Sequence, residues 1–172
     1  MGLTIVDSLD TMFLMGLHSE LEVGEKWLQD HLFFNNNNHH VNLFECTIRV
    51  LGSLLSMHHF TRKSLYLERA EDLADRLLSA FTSPSAIPYA TVELGNRKGI
   101  MSTLGQGESS TAEVATLQLE FRYLSYLTGK EKYKKAVDGV IQQMKKLDKY
   151  DGLVPIFIRY GMKYSFIHLF II

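Results

Sequence analysis

Helical segments of two kinds alternate along this chain, and the alternation restricts its fold more than any single motif. Val6–Leu17, Asn42–His59 and the stretch from Ser109 or Ser110 to Leu127 are short of charge and apolar on most sides. Glu20–Leu32, Ser64–Phe81 and Glu131–Leu147 carry one apolar face and a charged remainder. A helix that is apolar all round belongs inside a fold, and a one-faced helix belongs at its surface. Inner and outer helices taken in turn, joined as antiparallel hairpins, describe a double-layered helical ring or a solenoid. No β pattern of substance is visible, so the expected class is all-α.

The spacing supports each segment. Leu9, Phe13 and Leu17 recur at helical intervals, and Trp27 anchors the second segment. Phe44, Ile48, Leu51 and Leu55 form one stripe of the third, with Val50 and Leu54 beside it. Leu67, Ala70, Leu73, Ala74 and Leu77 make the single apolar face of the fourth, and Tyr133, Val137, Val140, Ile141 and Met144 that of the sixth. Asn35–His40 reads as a loop. Adjacent histidines point in different directions, so His39 and His40 make a poor metal pair. Pro84, Pro88 and the stretch to Gly107 form a long connection, a place where function often sits. Ser109 or Ser110 caps the fifth helix, with Glu113 near the capping-box position, and Thr128-Gly129 ends it.

Composition excludes more than it selects. A net charge of −1 over 172 residues, with no basic stripe, argues against a dedicated nucleic-acid binder. One cysteine, Cys46, leaves no internal disulfide framework and reads as a small packing residue. Asp7 and Asp10 interrupt the N-terminal apolar run where a signal peptide would need continuity. The apolar C-terminal stretch SFIHLFII is too short for a membrane span and has the look of an aggregation-prone segment.

The apolar helices nevertheless carry charge: Asp7 and Asp10 on the first, Glu45 and Arg49 on the third, Glu113 and Glu120 on the fifth. Buried charge is costly unless paired, so these point to a polar interior. Glu45 and Arg49, four apart, share a face that Gly52, Ser53 and Ser56 continue with small groups, leaving room beside the pair. Glu113, Thr116 and Glu120 form a similar line. Spacing alone also allows a plainer account. Glu45 and Arg49 would then be a helix-supporting ion pair, and Glu113 a capping carboxylate. Arg122, adjacent to Glu120, is expected to point elsewhere.

Several long segments resemble, in order, the class I α-1,2-mannosidases of glycoside hydrolase family 47. They are GLTIVDSLDTMFLMGL, VNLFECTIRVLGSLLSMHH, RAEDLADRLLSAFTSPSAIPYATVELG, STAEVATLQLEFRYLSYLTG and DGLVPIFI, and the details are nearer the endoplasmic-reticulum type than the Golgi type. The resemblance covers residues 1–158 as an N-terminal portion of the catalytic domain and leaves 159–172 as an unmatched tail. It implies a partial (α/α)7 barrel, and inverting hydrolysis of α-1,2-linked mannose from high-mannose N-glycans with one calcium ion. It places Glu45 on the family's proton donor in LFECTIR, Arg49 on a sugar-contacting arginine, and Glu113, in AEV, on a carboxylate lining the sugar pocket.

The family's other two catalytic carboxylates, its calcium-binding threonine and its membrane anchor have no counterpart here. The chain is therefore expected to be inactive alone, and no metal ligand is assigned in it. By family, it belongs to the endoplasmic reticulum or Golgi membrane. A general acid must keep its proton, so burial of Glu45 would favour its role and close pairing with Arg49 would oppose it. Arg49 is therefore expected to turn toward sugar or another carboxylate in the complete enzyme. Two other functions remain: a mannosidase-like glycan-binding protein of glycoprotein degradation, and a helical scaffold without sugar function.

Overall fold

The alternation of segments becomes an alternation of layers in the computed structural model, which describes residues 2–35, 40–101, 107–149 and 151–160. Helix α1 (Leu3–Leu14) pairs with α2 (His18–His31), α4 (Gly52–Thr61) with α5 (Ser64–Leu77), and α7 (Gln118–Thr128) with α8 (Glu131–Lys146). The first members of these hairpins pack side by side, α1 on α4 and α4 on α7, and form the inner layer. The second members back them from outside. The fold is mostly helical, a partial α/α barrel. His39, residues 102–106 of the long connection, and residues 161–172 of the expected tail lie outside the described residues.

Packing follows the apolar faces. Leu9, Leu28, Val50, Leu51, Leu54, Leu73, Leu77 and Phe121 are fully buried in one continuous core. Ser53, buried on α4, donates through Oγ to the carbonyl of Val6 at 2.5 Å and ties α4 to α1. Gly24 lets α2 approach α1, because a Cβ there would meet Leu9 Cδ2 at 2.9 Å.

Three expectations need correction in detail. The third segment is not one regular helix. It opens with α3 (Leu43–Cys46), widens into a π turn over Thr47–Leu51, and continues as α4. The fifth breaks at Thr116 and Leu117 into α6 (Thr111–Ala115) and α7. Thr116 turns its hydroxyl back to the carbonyls of Ala112 and Glu113, competing with helix propagation.

Short strands are the third correction. β1 (His40–Asn42), β2 (Thr91–Glu93) and β3 (Lys98–Ile100) form an antiparallel sheet in that order. β4 (Glu108–Ser110) pairs with β5 (Phe157–Arg159). These strands place the site. Asn42 pairs with Thr91 and hands the chain directly into α3. Likewise β4 runs into α6, held by the Thr111 amide on Ile156 O at 2.8 Å and by Arg159 on Glu108 at 2.8 Å.

The hairpin joints repeat. At α4–α5 the sequence is Thr61-Arg62-Lys63-Ser64-Leu65-Tyr66, and at α7–α8 it is Thr128-Gly129-Lys130-Glu131-Lys132-Tyr133. Each threonine hydroxyl bonds the carbonyl four residues back, Met57 at 2.7 Å and Leu124 at 2.8 Å. Each also accepts the lysine amide at 3.3 Å. The residue between is left-handed, Arg62 at φ 59 and Gly129 at φ 69. Each tyrosine is fully buried and donates its hydroxyl to a carboxylate of the preceding outer helix: Tyr66 to Glu25 at 2.5 Å, Tyr133 to Asp75 at 2.6 Å.

Candidate active site

The N-terminus of α3 is built around Asn42. Its extended backbone makes it a regular N-cap, and its side-chain Oδ1 accepts the Glu45 amide at 2.8 Å. Capping fixes the first turn, and Glu45 projects from that turn with its side chain about half exposed (49%). One π turn later, Arg49 Nε donates to Glu45 Oε2 at 2.6 Å, and Arg49 Nη1 reaches Asp7 Oδ2 on α1 at 3.3 Å. Hydrogen bonding to Glu45 first, then to Asp7, pushes the guanidinium above its ordinary range. Single π turns inside helices recur at functional positions, and this one falls on Arg49.

Glu113 arrives from α6, at the third position after its N-cap Ser110, whose Oγ accepts the Glu113 amide at 3.5 Å. The carboxylate goes elsewhere: Asn42 Nδ2 donates to Glu113 Oε2 at 3.3 Å. Arg49 thus meets Glu45 directly, and Asn42 joins Glu45 to Glu113. The residues singled out from the sequence meet at one end of the inner layer. In this chain Arg49 pairs closely with Glu45 as well as with a second carboxylate, Asp7.

A cavity of about 600 Å³ lies between the inner helices, with Arg49 in its wall. Asp7, Asp10 and Thr11 line it from α1, Arg49, Gly52, Ser53 and Ser56 from the π turn and α4, and Leu119, Glu120 and Tyr123 from α7. Glu45 lies beside it, against a smaller cavity of about 170 Å³ shared with Leu3, Val41, Asn42 and Cys46. Cys46 is buried, and burial pushes its thiol up to about 12, which keeps it an unreactive packing group.

The helix break separates two carboxylates that the sequence placed in line, Glu113 on α6 and Glu120 on α7. Glu120 faces the cavity opposite Gly52, where a Cβ would come within 4.0 Å of its Cγ and Oε1. Its Oε2 is buried without a hydrogen-bond partner, and burial raises its pKa above the usual carboxylate range. Arg122 does point away, to Gln118 at 2.9 Å and to Asp138 on α8.

Sequence reasoning missed Asn42, although an asparagine three residues before Glu45 is itself a capping signal. It also missed the aromatic end of the cavity. There His59 Nδ1 lies 2.8 Å from Tyr123 Oη, and Phe60 stacks on Phe13 with centroids 5.1 Å apart. Those side chains come from three helices, and no local pattern joins them. Among the described residues no group of three or more His, Cys, Asp or Glu side chains is placed to hold a metal ion, and no helix is long and apolar enough to cross a membrane.

A helical arc whose inner helices present carboxylates and small residues to a cleft, with amphipathic helices as backing, is a stretch of α/α-barrel wall. The profile described as glycosyl hydrolase family 47 matches residues 1–167, and the chain belongs to that family. It is 48% identical over 159 residues to the rat endoplasmic reticulum mannosyl-oligosaccharide 1,2-alpha-mannosidase, covering 92% of this chain and 24% of that protein. It is also 48% identical over 160 residues to the human protein of the same name, covering 92% and 22%. With the mannosyl-oligosaccharide 1,2-alpha-mannosidase of Candida albicans the figures are 44% over 158 residues, 92% and 28%. Among solved structures, the alpha-1,2-mannosidase from Trichoderma reesei matches at a TM-score of 0.83 and 27% identity, covering 97% of this chain and 37% of that one. The chain spans about a quarter of the length of the curated relatives it matches.

Proposed function

We propose that this chain is the N-terminal part of an α-1,2-mannosidase that trims high-mannose N-glycans in the endoplasmic reticulum. Glu45 acts as the general acid, and Arg49 and Glu113 hold the sugar. The observation that carries this reading is the linkage of these three, with Arg49, which lines the larger cavity, on Glu45 at 2.6 Å and Asn42 between Glu45 and Glu113. An ion pair whose only use was to support its helix would not also have a second carboxylate and an open cavity beside it.

The chemistry follows from the charges. An inverting glycosidase needs one carboxylic acid to protonate the leaving oxygen and one carboxylate to activate water, about 6.5–9.5 Å apart. Glu45 supplies the first. Arg49 donates to the Glu45 carboxylate at 2.6 Å, so a sugar hydroxyl or Asp7 must draw Arg49 away to free Glu45 Oε2 for the leaving oxygen. Asp7, already 3.3 Å from Nη1, stands ready to take the guanidinium. The chain spans about a quarter of its curated relatives, and on this reading the remainder of such a domain supplies the water-activating carboxylate. The family resemblance implies a calcium ion in the complete domain. The described residues offer it no cluster of donors, so no step here runs through it.

The test is mannose release from a high-mannose glycan by the purified chain, with and without calcium, beside a graft of residues 2–158 onto the remaining domain of a close relative. The expected result is no release by the chain and release by the graft. Calcium-dependent release by the chain alone would overturn the reading that it lacks a complete site.

A further inference from the structure

We propose that Asn42 is a positioning residue that sets Glu113 relative to Glu45, an inference that rests on the reading of those two as sugar-handling groups. The argument is one of amide orientation. A side-chain amide has one acceptor end and one donor end. The first turn of α3 needs an acceptor for the Glu45 amide, and Asn42 Oδ1 supplies it at 2.8 Å. Once the oxygen is committed there, the NH2 group has to point the other way, and it meets Glu113 Oε2 at 3.3 Å. The helix cap therefore selects which end of Asn42 faces the second carboxylate.

The backbone of Asn42 is itself held. It lies at the end of β1 in register with Thr91, and the next amide, Leu43, donates to Ala90 O at 2.8 Å. Glu113 is held from its own side by the Ser110 cap and by the β4–β5 pairing before it. Two separately anchored segments thus meet through one amide, a rigid arrangement of the kind a binding carboxylate needs.

The chemistry singles out asparagine. Serine would cap α3 equally well but has no donor that reaches Glu113. Aspartate would cap it and set a second negative charge against Glu113. If Asn42 only capped the helix, Asn42→Ser would behave as the native chain.

The experiment uses the full chain as Asn42→Ser, Glu113→Gln and the double variant, with high-mannose glycan affinity measured by calorimetry. Side-chain and backbone amides are followed by NMR. We expect Asn42→Ser to keep its melting temperature and the protection of the Glu45 amide, yet to weaken glycan binding about tenfold, as one lost hydrogen bond to a charged group does. Glu113→Gln should weaken it similarly, and the double variant no further. Glu113→Gln should also move the Asn42 NH2 resonances while leaving the Glu45 amide in place. Native affinity in Asn42→Ser, or losses that multiply in the double variant, would overturn the proposal. If the native chain binds no glycan, affinity is compared in the same variants of the graft of residues 2–158 onto a relative's remaining domain, where a graft that neither binds nor turns over glycan defeats the functional reading on its own. Asn42 NH2 resonances indifferent to Glu113→Gln would then overturn the positioning role.

Discussion

Glu25, Glu71 and Asp75 on the outer helices each meet both a lysine and a tyrosine hydroxyl. On the inner helices, Asp7 and Glu45 share a single arginine, and Glu120 keeps a buried oxygen with no hydrogen bond. Burial works on Asp75 and on Glu120 alike, with opposite outcomes. For Asp75, burial is outweighed by Lys132 and Tyr133, and its carboxyl sits below the ordinary range. For Glu120, nothing of comparable strength answers burial, and its carboxyl sits above it. The three outer carboxylates are answered by lysine and tyrosine, while Arg69 Nε on α5 is buried without a hydrogen bond. The inner layer leaves acceptors free, and free acceptors beside a cavity are what a polyhydroxyl ligand requires.

The largest effect should come from the inner side. In the graft of residues 2–158 onto a relative's remaining domain, Glu45→Gln is expected to cut turnover at least about a hundredfold while leaving glycan binding largely intact. Glutamine keeps the shape but cannot deliver a proton. Turnover unchanged in that variant would erase the functional half of the contrast and return Glu45 to a helix-supporting ion pair. Glu120→Gln in the same graft should do much less to the chemical step.

The outer side should answer in stability. Tyr133 is fully buried, and Tyr133→Ala should cost about 3–5 kcal/mol in chemical denaturation. Tyr133→Phe keeps the ring and loses only the hydroxyl to Asp75, so about 1 kcal/mol is expected. Equal losses in the two variants would mean that the hydroxyl, not the ring, holds the joint.

Acid titration gives the smallest and sharpest comparison, because the signs differ. Asp75 has its folded value below the ordinary 3.8, so its contribution is present above 3.8 and is lost as pH falls through the lower folded value. The stability gap between the native chain and Asp75→Asn should therefore close in acid. Glu120 has its folded value above the ordinary 4.5. Its contribution is complete below 4.5 and is lost as pH rises through the raised value. Relative to Glu120→Gln, the native chain should weaken as pH climbs from 4.5. Melting curves across pH 3 to 7, about the range in which carboxylates titrate, decide the matter. Two slopes of the same sign would remove the distinction between the layers.

What could be read from the sequence tracks how local each feature is. The alternation of helix types fixed the two layers, because a buried face and an exposed face are written residue by residue. Glu45 and Arg49, four apart on one helix, were legible as a pair, and they meet at 2.6 Å. The break at Thr116 was not legible, since Gln118–Thr128 and Thr111–Ala115 join without glycine or proline. The strands were invisible for another reason: three residues are too few to show an alternating period. The isolation of Glu120 depends on what lies across from it, a glycine on α4 some seventy positions earlier, and no window along the chain could contain both. Asn42 is the intermediate case. Its capping bond is local and readable, whereas its bond to Glu113 joins residues 71 positions apart.

The repeated joint at Thr61–Tyr66 and Thr128–Tyr133 has a consequence for how a ring of this kind acquires its curvature. Each turn is closed by its own threonine, and each new outer helix is referred to the previous one by a tyrosine hydroxyl and neighbouring lysines on its carboxylates. The angle between neighbouring hairpins is then written into about six consecutive residues and the one or two carboxylates that receive them, with no reference to the circumference. Curvature becomes a sum of local instructions. A hairpin could be copied, lost or exchanged during evolution and still know where to stand, and only the closing of the circle would register the change.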